Sequence, residues 1–552
     1  MSNHRPAHRA SSPFLPCSST LLAGLLALLM AGCGSGSGSN STTASAGATG
    51  AASNLPAGTT PAPAAPITDT AAIRFLEQAT FGPTAADITH LQAIGYDAWL
   101  TEQFATAASD YPNINDASSL DGVQAAFFRN AVTAPDQLRQ RIAFALGQIF
   151  VVSNQKIDTR PGLVNFQRML LADSFGTYRN LLKDVTVSPA MGNYLDMANN
   201  MKADPIAGTS PNENYGREVL QLFSVGVNQL NADGSLRMDA AKKPVPTYGQ
   251  DTVEGFARAF SGWTYPTKAG AAPQDTNDEN YQGVMELREV AHEPGSKLLL
   301  NGVVLPPGQG AARDLDAAVD NISQHPNVGP FLGTRLIQAL VKSNPSPAYV
   351  QRVASAFADN GQGARGDLKA LVRAVLLDPE ARAGDLPGSA SSDGKLREPV
   401  LFMTRLMRAF GAKTDGSALT SYAQQMRQDV FNAPSVFNFY PPSYKPQGSS
   451  VFGPEFKIAN TPTLSARLNF VYDLTSQNLS GSTLDFSAIN AAAADNAKLI
   501  ALLDAQLLHG TAPDSLKQAV SSALPVAGSD NQQRAMLALY LFAASPAFNL
   551  QR

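Results

Sequence analysis

The chain has 552 residues, and its 41 lysines and arginines against 45 acidic residues give a net charge of -4 at pH 7. Hydrophobic residues make up 44% of the chain, which suits a globular protein with a large core. The chain lacks the basic surplus that nucleic-acid-binding proteins carry, so nucleic acid is not an expected partner.

The amino terminus has the order of a bacterial export signal. A cationic start precedes a short apolar run at residues 21–30. This run is shorter than the about 20 residues that a membrane-spanning helix needs. It ends in Ala31, Gly32 and Cys33, which resembles the lipobox where bacterial lipoproteins are cleaved and acylated. We expect residues 1–32 to be a lipoprotein signal peptide and Cys33 to be the lipidation site. The alternative is an ordinary secretory signal with an incidental cysteine.

Residues 33–66 are predicted to be a disordered tether, because they are nearly all Gly, Ser, Ala, Thr, Asn and Pro and lack apolar periodicity. The second cysteine, Cys17, leaves with the signal, so no disulfide and no cysteine metal site is expected in the mature protein. Gly34 follows Cys33, which resembles the sorting pattern for the outer membrane of a Gram-negative cell. The expected location is therefore the cell envelope, on its periplasmic or its cell-surface face.

Residues 67–552 carry apolar side chains at helical spacing along most of their length. One such stretch, residues 127–152, predicts a single core-facing helix. The segment is longer than one core usually organises, so we expect a mainly α fold of many helices. Such a fold can consist of two packed helical subdomains, and we would then expect the division between them near residues 265–310. Asn301 and Gly302 lie between two apolar runs and predict a small β-hairpin insertion.

The candidate functional residues begin on a predicted helix after residue 212. Asn214, Arg217, Glu218 and Gln221 share one face of it, opposite an apolar face. The simpler interpretation is an amphipathic helix with a solvated polar side. The alternative is that this face lines a site, with Glu218 as a general base and with Asn214 and Arg217 binding a ligand.

Three further candidates follow along the chain. Asp251 falls in the first turn of the next predicted helix, where a carboxylate is electrostatically favoured. A polar loop at residues 275–280 is rich in oxygen ligands but lacks the spacing of a calcium loop, so a solvated loop is the main interpretation. His292 and Lys297 come after this loop, with His292 as a candidate catalytic residue and Lys297 as a candidate binding residue. One available histidine is insufficient for most zinc sites, and no HExxH motif is present, so the sequence names no metal or cofactor.

A resemblance to a known family rests on segments spread along the chain, at residues 74–83, 188–196, 214–226, 251–263, 292–297, 432–434 and 441–442. Together these segments resemble the bacterial family known as domain of unknown function 1800. The resemblance implies exported, predominantly helical proteins, often encoded beside another secreted family that resembles alkaline phosphatases and sulfatases, and it implies no particular reaction. At residues 438–444 the chain differs from many members, so we carry over no role for the sequence that those members have there.

Two functional hypotheses remain, from different classes. The first is a membrane-anchored binding or assembly factor for a co-exported partner protein, which suits a lipid anchor on a long tether. The second is an envelope-associated hydrolase or lyase, with Glu218 or Asp251 as general base, His292 as general acid and Arg217 orienting an anion. The sequence contains neither a GxSxG elbow nor a Walker A loop.

Overall fold

The computed structural model describes residues 66–111, 114–115, 118–385 and 393–552. The predicted signal peptide and the predicted lipidation site at Cys33 lie outside these residues, as does nearly all of the predicted tether. The described residues contain 21 α-helices and four sheets of two strands each, which confirms the predicted mainly α fold. None of the described helices is long and apolar enough to cross a membrane.

Nine helices precede the predicted hairpin. They are α1 (Asp69–Ala79), α2 (Ala85–Ala105), α3 (Leu120–Thr133), α4 (Gln137–Gly147), α5 (Arg160–Asp173), α6 (Tyr178–Thr186), α7 (Pro189–Tyr194), α8 (Asn214–Gln221) and α9 (Gln250–Ala259).

Twelve helices follow the hairpin. They are α10 (Ala311–Ser323), α11 (Val328–Leu340), α12 (Pro347–Ala358), α13 (Leu368–Leu377), α14 (Pro379–Arg382), α15 (Pro399–Ala409), α16 (Ser417–Gln425), α17 (Thr461–Thr475), α18 (Ser487–Ala492), α19 (Asn496–Leu508), α20 (Asp514–Ala523) and α21 (Asn531–Ala544).

The strands are all two residues long. They are β1 (Trp263–Thr264), β2 (Glu286–Leu287), β3 (Lys297–Leu298), β4 (Val304–Leu305), β5 (Lys395–Leu396), β6 (Lys413–Thr414), β7 (Ser482–Thr483) and β8 (Leu550–Gln551). They pair antiparallel as β1 with β2, β3 with β4, β5 with β8 and β6 with β7.

The predicted β-hairpin is confirmed. Lys297 pairs with Leu305 and Leu298 with Val304, across a turn in which Asn301 and Gly302 both have positive φ, 57° and 73°. This is the backbone conformation that an Asn-Gly turn favours.

The single helix predicted over residues 127–152 is wrong. Residues 134–136 separate α3 from α4, and Ala134 is extended, with φ −68° and ψ 145°. Proline disfavours helical backbone at the residue before it, so Pro135 explains the break at Ala134. The apolar spacing continues on both sides of the break because both helices face the core.

Residues Pro66–Arg552 form one compact unit, and their buried apolar side chains make one continuous cluster from Ala72 to Phe548. Two close backbone approaches fix the elements around the candidate site. A Cβ added to Gly216 on α8 would lie 3.1 Å from the Ala257 nitrogen on α9. A Cβ added to Gly255 on α9 would lie only 1.8 Å from the Leu298 carbonyl oxygen on β3. Glycine is therefore required where α9 meets the hairpin.

Candidate binding site

A polar cavity of about 500 Å³ opens between the end of α7, the following loop and the segment around β1. Its size lies within the roughly 300 to 1,000 Å³ of small-molecule sites. We call it the Asn200 cavity, and its lining consists of Gly192, Asn193, Asp196, Ala198, Asn199, Asn200, Met201, Lys202, Thr209, Ser210, Asn212, Tyr265 and Glu279.

The wall of the cavity begins where the chain leaves α7. Asp196 and Asn199 both have left-handed backbone, with φ of 60° and 61°. Asparagine and aspartate tolerate this region better than other non-glycine residues, and such conformations concentrate at functional sites. The turn brings Asn199 and Asn200 beside β1. There the backbone N–H of Asn199 donates to the Trp263 carbonyl oxygen over 2.8 Å, and the backbone carbonyl oxygen of Asn200 accepts from the Gly262 N–H over 2.8 Å.

Side-chain amides hold the other walls in place. The Asn212 backbone N–H donates to Asn200 Oδ1 over 2.7 Å, and Asn200 Nδ2 donates back to the Asn212 carbonyl over 3.2 Å. Asn277 is buried and its Nδ2 donates to the Tyr265 carbonyl over 2.7 Å. Because these bonds link the three segments around the cavity, its polar groups are held in position before any ligand arrives.

The two carboxylates at the cavity, Asp196 and Glu279, already have partners. Asp196 accepts from Lys156 Nζ over 2.5 Å and from Asn214 Nδ2 over 3.0 Å, and its side chain remains 43% exposed. Glu279 accepts from Asn193 Nδ2 over 3.1 Å. Burial, assisted by the Glu279 charge, raises the pKa of Tyr265 to about 12. Tyr265 is therefore a neutral phenol throughout the physiological pH range.

The predicted candidates on α8 and α9 occupy different surroundings. Asn214 reaches the cavity edge through its bond to Asp196. Arg217 pairs with Glu213 over 2.8 Å and donates to Gln250 over 3.2 Å at the protein surface. Asp251 is exposed in the first turn of α9.

Glu218 is half-buried, and burial raises its pKa although Arg217 opposes the shift. Its Oε2 atom is buried and has no hydrogen-bond partner among the described residues. Burial also raises the pKa of Tyr248 to about 12, and the charge of Glu218 adds to that shift, which places the two groups near each other. The Tyr248 hydroxyl is likewise buried and unpartnered within that set.

His292 and Lys297 meet at a carboxylate that the sequence analysis did not single out. His292 Nε2 lies 2.9 Å from Asp314 Oδ2, and Lys297 Nζ lies 2.6 Å from the same oxygen. Gln309 Nε2 donates to Asp314 Oδ1 over 2.7 Å, and His292 Nδ1 lies 2.8 Å from the Ser261 carbonyl oxygen. The side chains of Asp314 and Lys297 are fully buried, and that of His292 nearly so.

Burial alone would raise the pKa of the Asp314 carboxyl, but its bonds to His292 and Lys297 hold it below its usual value. The cluster therefore joins the hairpin to the start of α10 through the charged contacts at Asp314, and His292 connects it to the Ser261 carbonyl just after α9. No hydrogen bond or ion pair links His292 to Glu218 or Asp251 in the part of the chain described. Joint catalysis by these three residues stays a prediction.

A signal for Asp314 was present in the sequence. Asp314 lies three residues after Ala311 and four before Ala318, and Leu315 follows it directly. These apolar neighbours are all buried on the inner side of α10. A carboxylate in the middle of an apolar helical face needs a buried partner. Among the described residues, no group of three or more His, Cys, Asp and Glu side chains is arranged to hold a metal ion.

The fold and the cavity define a mainly α-helical protein with a polar, ligand-sized site. A family model described as "Protein of unknown function (DUF1800)" matches residues 74–550, and the chain belongs to this family. No curated protein and no solved structure matches the chain.

Proposed function

We propose that this protein is a lipid-anchored binding factor of the bacterial cell envelope, which holds a hydroxyl-rich ligand such as an envelope saccharide in the Asn200 cavity and works with a co-exported partner protein. The single observation that carries the ligand class is the lining of this cavity by side-chain amides, of which Asn200 is fixed by two hydrogen bonds, together with the hydroxyl groups of Thr209 and Ser210.

The chemistry of the lining matches hydroxyl groups. A side-chain amide carries a donor and an acceptor side by side, and a sugar hydroxyl likewise both donates and accepts. Thr209 and Ser210 add exposed hydroxyls, and Tyr265 adds a small aromatic surface that is otherwise buried. Lys202 is the one cation in the lining, opposite the carboxylates Asp196 and Glu279, so the lining does not favour a multiply charged anion.

The arrangement favours binding over turnover. Asp196 is engaged by Lys156 and Asn214, and Glu279 by Asn193 and Tyr281. A carboxylate that such bonds hold in one orientation suits a fixed acceptor for a ligand hydroxyl group. The support for the membrane anchor is the sequence pattern that ends at Cys33 and the tether-like composition of residues 33–66.

The binding proposal is tested by titrating the mature chain with envelope-type saccharides in a calorimeter, including chitooligosaccharides, β-glucan oligomers and lipopolysaccharide core oligosaccharide. We expect saturable binding of at least one saccharide, weakened about tenfold by Asp196→Asn, since one charge-assisted hydrogen bond contributes on this scale. Asparagine keeps the left-handed backbone accessible. The control is Asp121→Asn on an exposed position of α3, which should bind as the wild type does. Equal affinity of both variants would contradict the proposal.

The lipid anchor has a separate test, which is mass spectrometry of the mature amino terminus from the native host. We expect an acylated Cys33 as the first residue. An unmodified terminus at another residue would contradict the anchor and leave the cavity untouched.

A second candidate, a hydrolase or lyase, is favoured by the raised pKa and unpartnered oxygen of Glu218 beside Tyr248. Such a carboxyl has the features of a general acid or base. Glu218 does not line the Asn200 cavity, so a substrate of this carboxyl would bind elsewhere. Glu218→Gln should then abolish turnover of that substrate while leaving the fold and the affinity of the Asn200 cavity unchanged. Equal turnover by the wild type and Glu218→Gln would exclude this candidate.

A further inference from the structure

A second cavity, of about 220 Å³, lies where α5, α6 and α7 meet the loop before β2. We call it the Asp184 cavity. A cavity of about 150 Å³ can hold a benzene ring, so this one has room for a molecule of that size or slightly larger. Gly283 and Val284 at its edge are exposed, so it opens to solvent there. The other groups in its wall include the apolar residues Met169, Pro189 and Ala190, the ring of Tyr281, and the polar residues Asp184 and Ser188.

Hydrogen bonds and close packing fix the walls of the Asp184 cavity. On α5, Asn165 Nδ2 donates to the Tyr281 carbonyl oxygen over 2.8 Å. The Met285 N–H donates to the Val187 carbonyl oxygen over 2.8 Å, which ties the loop to the end of α6. A Cβ added to Gly162 would lie 2.9 Å from the Tyr281 ring, so α5 packs directly against that ring. The cavity is therefore formed before any ligand arrives, which lowers the entropic cost of binding.

The charge at this cavity belongs to a pair of carboxyls. Asp184 on α6 lies in the wall, and Asp173 at the end of α5 contacts it. Asp173 Oδ2 is buried and accepts no hydrogen bond from the described residues, so its contact with Asp184 depends on a shared proton. Burial, assisted by the charge of Asp184, raises the pKa of Asp173 to about 7. No lysine, arginine or histidine among those residues forms an ion pair with either carboxyl, so the remaining negative charge is not neutralised.

A buried hydroxyl in the same wall is also free to bind a ligand. Ser188 lies between α6 and α7 and is only 8% exposed. It precedes the first residue of α7, but its side chain forms no capping hydrogen bond, and its hydroxyl has no other partner in the described part of the chain. Most buried polar groups have a partner, because leaving one without a hydrogen bond is unfavourable. Since Ser188 lines the cavity, a ligand there can supply the missing bond.

From this juxtaposition we propose that the Asp184 cavity binds a small primary amine with a short aliphatic or aromatic body. The ammonium group donates hydrogen bonds to the Asp184 carboxylate and to the Ser188 hydroxyl oxygen, and the body packs between Met169 and the Tyr281 ring. An ammonium group has three N–H donors and no acceptor, so it suits a wall that offers a carboxylate and a free hydroxyl. It also supplies the positive charge that the carboxyl pair lacks.

A divalent metal ion is the competing occupant of a carboxyl pair. Calcium and magnesium ions take about six or more oxygen ligands, and a single carboxylate and one hydroxyl in an otherwise largely apolar wall do not supply them. The site is also separate from the Asn200 cavity. The Tyr281 hydroxyl donates to Glu279 over 3.1 Å and accepts from Asn193 Nδ2 over 2.7 Å, and both partners line the Asn200 cavity, so Tyr281 stands between the two cavities. The amine proposal does not depend on the function proposed for the Asn200 cavity.

The test is calorimetric titration of the mature chain with benzylamine and butylamine near neutral pH, alongside benzyl alcohol and calcium chloride. We expect at least one amine to bind saturably. Benzyl alcohol has the same ring as benzylamine but no charge, so it should bind at least about tenfold more weakly. The absence of saturable binding by both amines would overturn the proposal. Binding of the alcohol as strong as that of benzylamine, or calcium binding that Asp184→Asn removes, would also overturn it.

Variants assign the amine to this cavity. Asp184→Asn should weaken amine binding at least about tenfold, and Ser188→Ala about fivefold, the scale of one hydrogen bond. Ser188→Ala removes no side-chain hydrogen bond of α7, so it keeps the proposal testable if Asp184→Asn does not fold. The matched controls are Asp121→Asn on α3 and Ser465→Ala on α17, both at exposed positions, with wild-type affinity expected. Wild-type affinity in both Asp184→Asn and Ser188→Ala would overturn the assignment. Loss of amine binding in Asp196→Asn instead would place the amine in the Asn200 cavity and overturn it as well.

Discussion

The side chain of Asn200 forms two hydrogen bonds with the backbone of Asn212. Asn200 Oδ1 accepts from the Asn212 backbone N–H over 2.7 Å, and Asn200 Nδ2 donates to the Asn212 carbonyl oxygen over 3.2 Å. The Asn200 side chain therefore holds together the two ends of the loop formed by residues 201–211. Because Met201, Lys202, Thr209 and Ser210 of this segment line the cavity, the Asn200 side chain determines the cavity's shape.

We predict that Asn200→Asp opens this segment. Aspartate keeps an oxygen that accepts from the Asn212 backbone N–H, but its second oxygen lies against the Asn212 carbonyl oxygen. Losing a buried hydrogen bond and gaining this repulsion should lower the free energy of unfolding by about 1 to 3 kcal/mol. Limited proteolysis should cleave residues 201–211 faster than in the wild type. The control is Asn531→Asp, at an exposed position in the first turn of α21, where an acidic residue is neutral or stabilising. Unchanged proteolysis of Asn200→Asp would contradict the role assigned to this pair.

A second prediction concerns the buried Asp314, which both His292 and Lys297 contact. Asp314→Asn leaves the ammonium of Lys297 buried without a counter-charge. We expect a loss of about 3 to 5 kcal/mol in the free energy of unfolding, measured by guanidinium denaturation. Lys297→Met in the same chain removes the stranded charge, so the double variant should be more stable than Asp314→Asn alone. A double variant less stable than the single variant would show that the cluster does not act as an ion pair.

The same cluster predicts a dependence on pH. The pKa of Asp314 is lowered in the folded protein, so its contribution to stability is present above the usual aspartate range and is lost as pH falls through the lowered value. Denaturation midpoints of the wild type should therefore fall more steeply in acid than those of the double variant Lys297→Met/Asp314→Asn. Parallel pH profiles of the two proteins would contradict this expectation.

Local pattern explains which parts of this molecule the sequence could predict. Apolar spacing identified the helical character, and the Asn301-Gly302 turn identified the hairpin, because both depend on neighbouring residues. Pro135 separates two helices where a single helix was predicted. The prediction failed because the spacing of apolar residues does not reveal a short break between two helices. His292 and Lys297 were identified as candidates, but the carboxylate that joins them lies on a different element.

The Asn200 cavity could not be derived in the same way. Asn199 and Asn200 were visible as a polar pair, but their contacts with Gly262 and Trp263 connect positions about 60 residues apart. Such pairing depends on how α8, α9 and β1 pack, which no local pattern encodes.

The close approach of α9 to the hairpin gives a prediction that reverses the usual helix propensity. Alanine normally stabilises a helix relative to glycine by about 1 kcal/mol. At Gly255 the added Cβ would lie 1.8 Å from the Leu298 carbonyl oxygen, so the helix and the hairpin must separate. We expect Gly255→Ala to lower the melting temperature by several degrees, on the scale of about 2 kcal/mol or more.

The matched control for Gly255→Ala is Gly122→Ala on α3. There the added Cβ lies 3.4 Å from the Ser119 hydroxyl, and the residue is exposed. This change should leave the melting temperature unchanged or raise it slightly. If both variants shifted the melting temperature alike, the backbone contact between α9 and β3 would not be the cause.

The final prediction uses two facing carboxyls, Asp173 at the end of α5 and Asp184 on α6. Burial, assisted by the charge of Asp184, raises the pKa of Asp173 from 3.8 to about 7. The folded protein therefore holds a proton that the unfolded chain has already lost between about pH 4 and pH 7. Since the native state binds more protons in this window, the free energy of unfolding should decrease as pH rises through it and level off above pH 7.

Asp173→Asn should remove this trend, because asparagine has no proton to lose and can donate a hydrogen bond to Asp184. At pH 8 we expect the variant to exceed the wild type by about 1 to 2 kcal/mol in chemical denaturation, less than the full pKa shift implies because both carboxyls are only partly buried. At pH 5 the two proteins should be close in stability. Asp121→Asn controls for the loss of a charge, and its effect on stability should be the same at pH 5 and pH 8. If the advantage of Asp173→Asn were the same at pH 5 and pH 8, it would not arise from the shared proton.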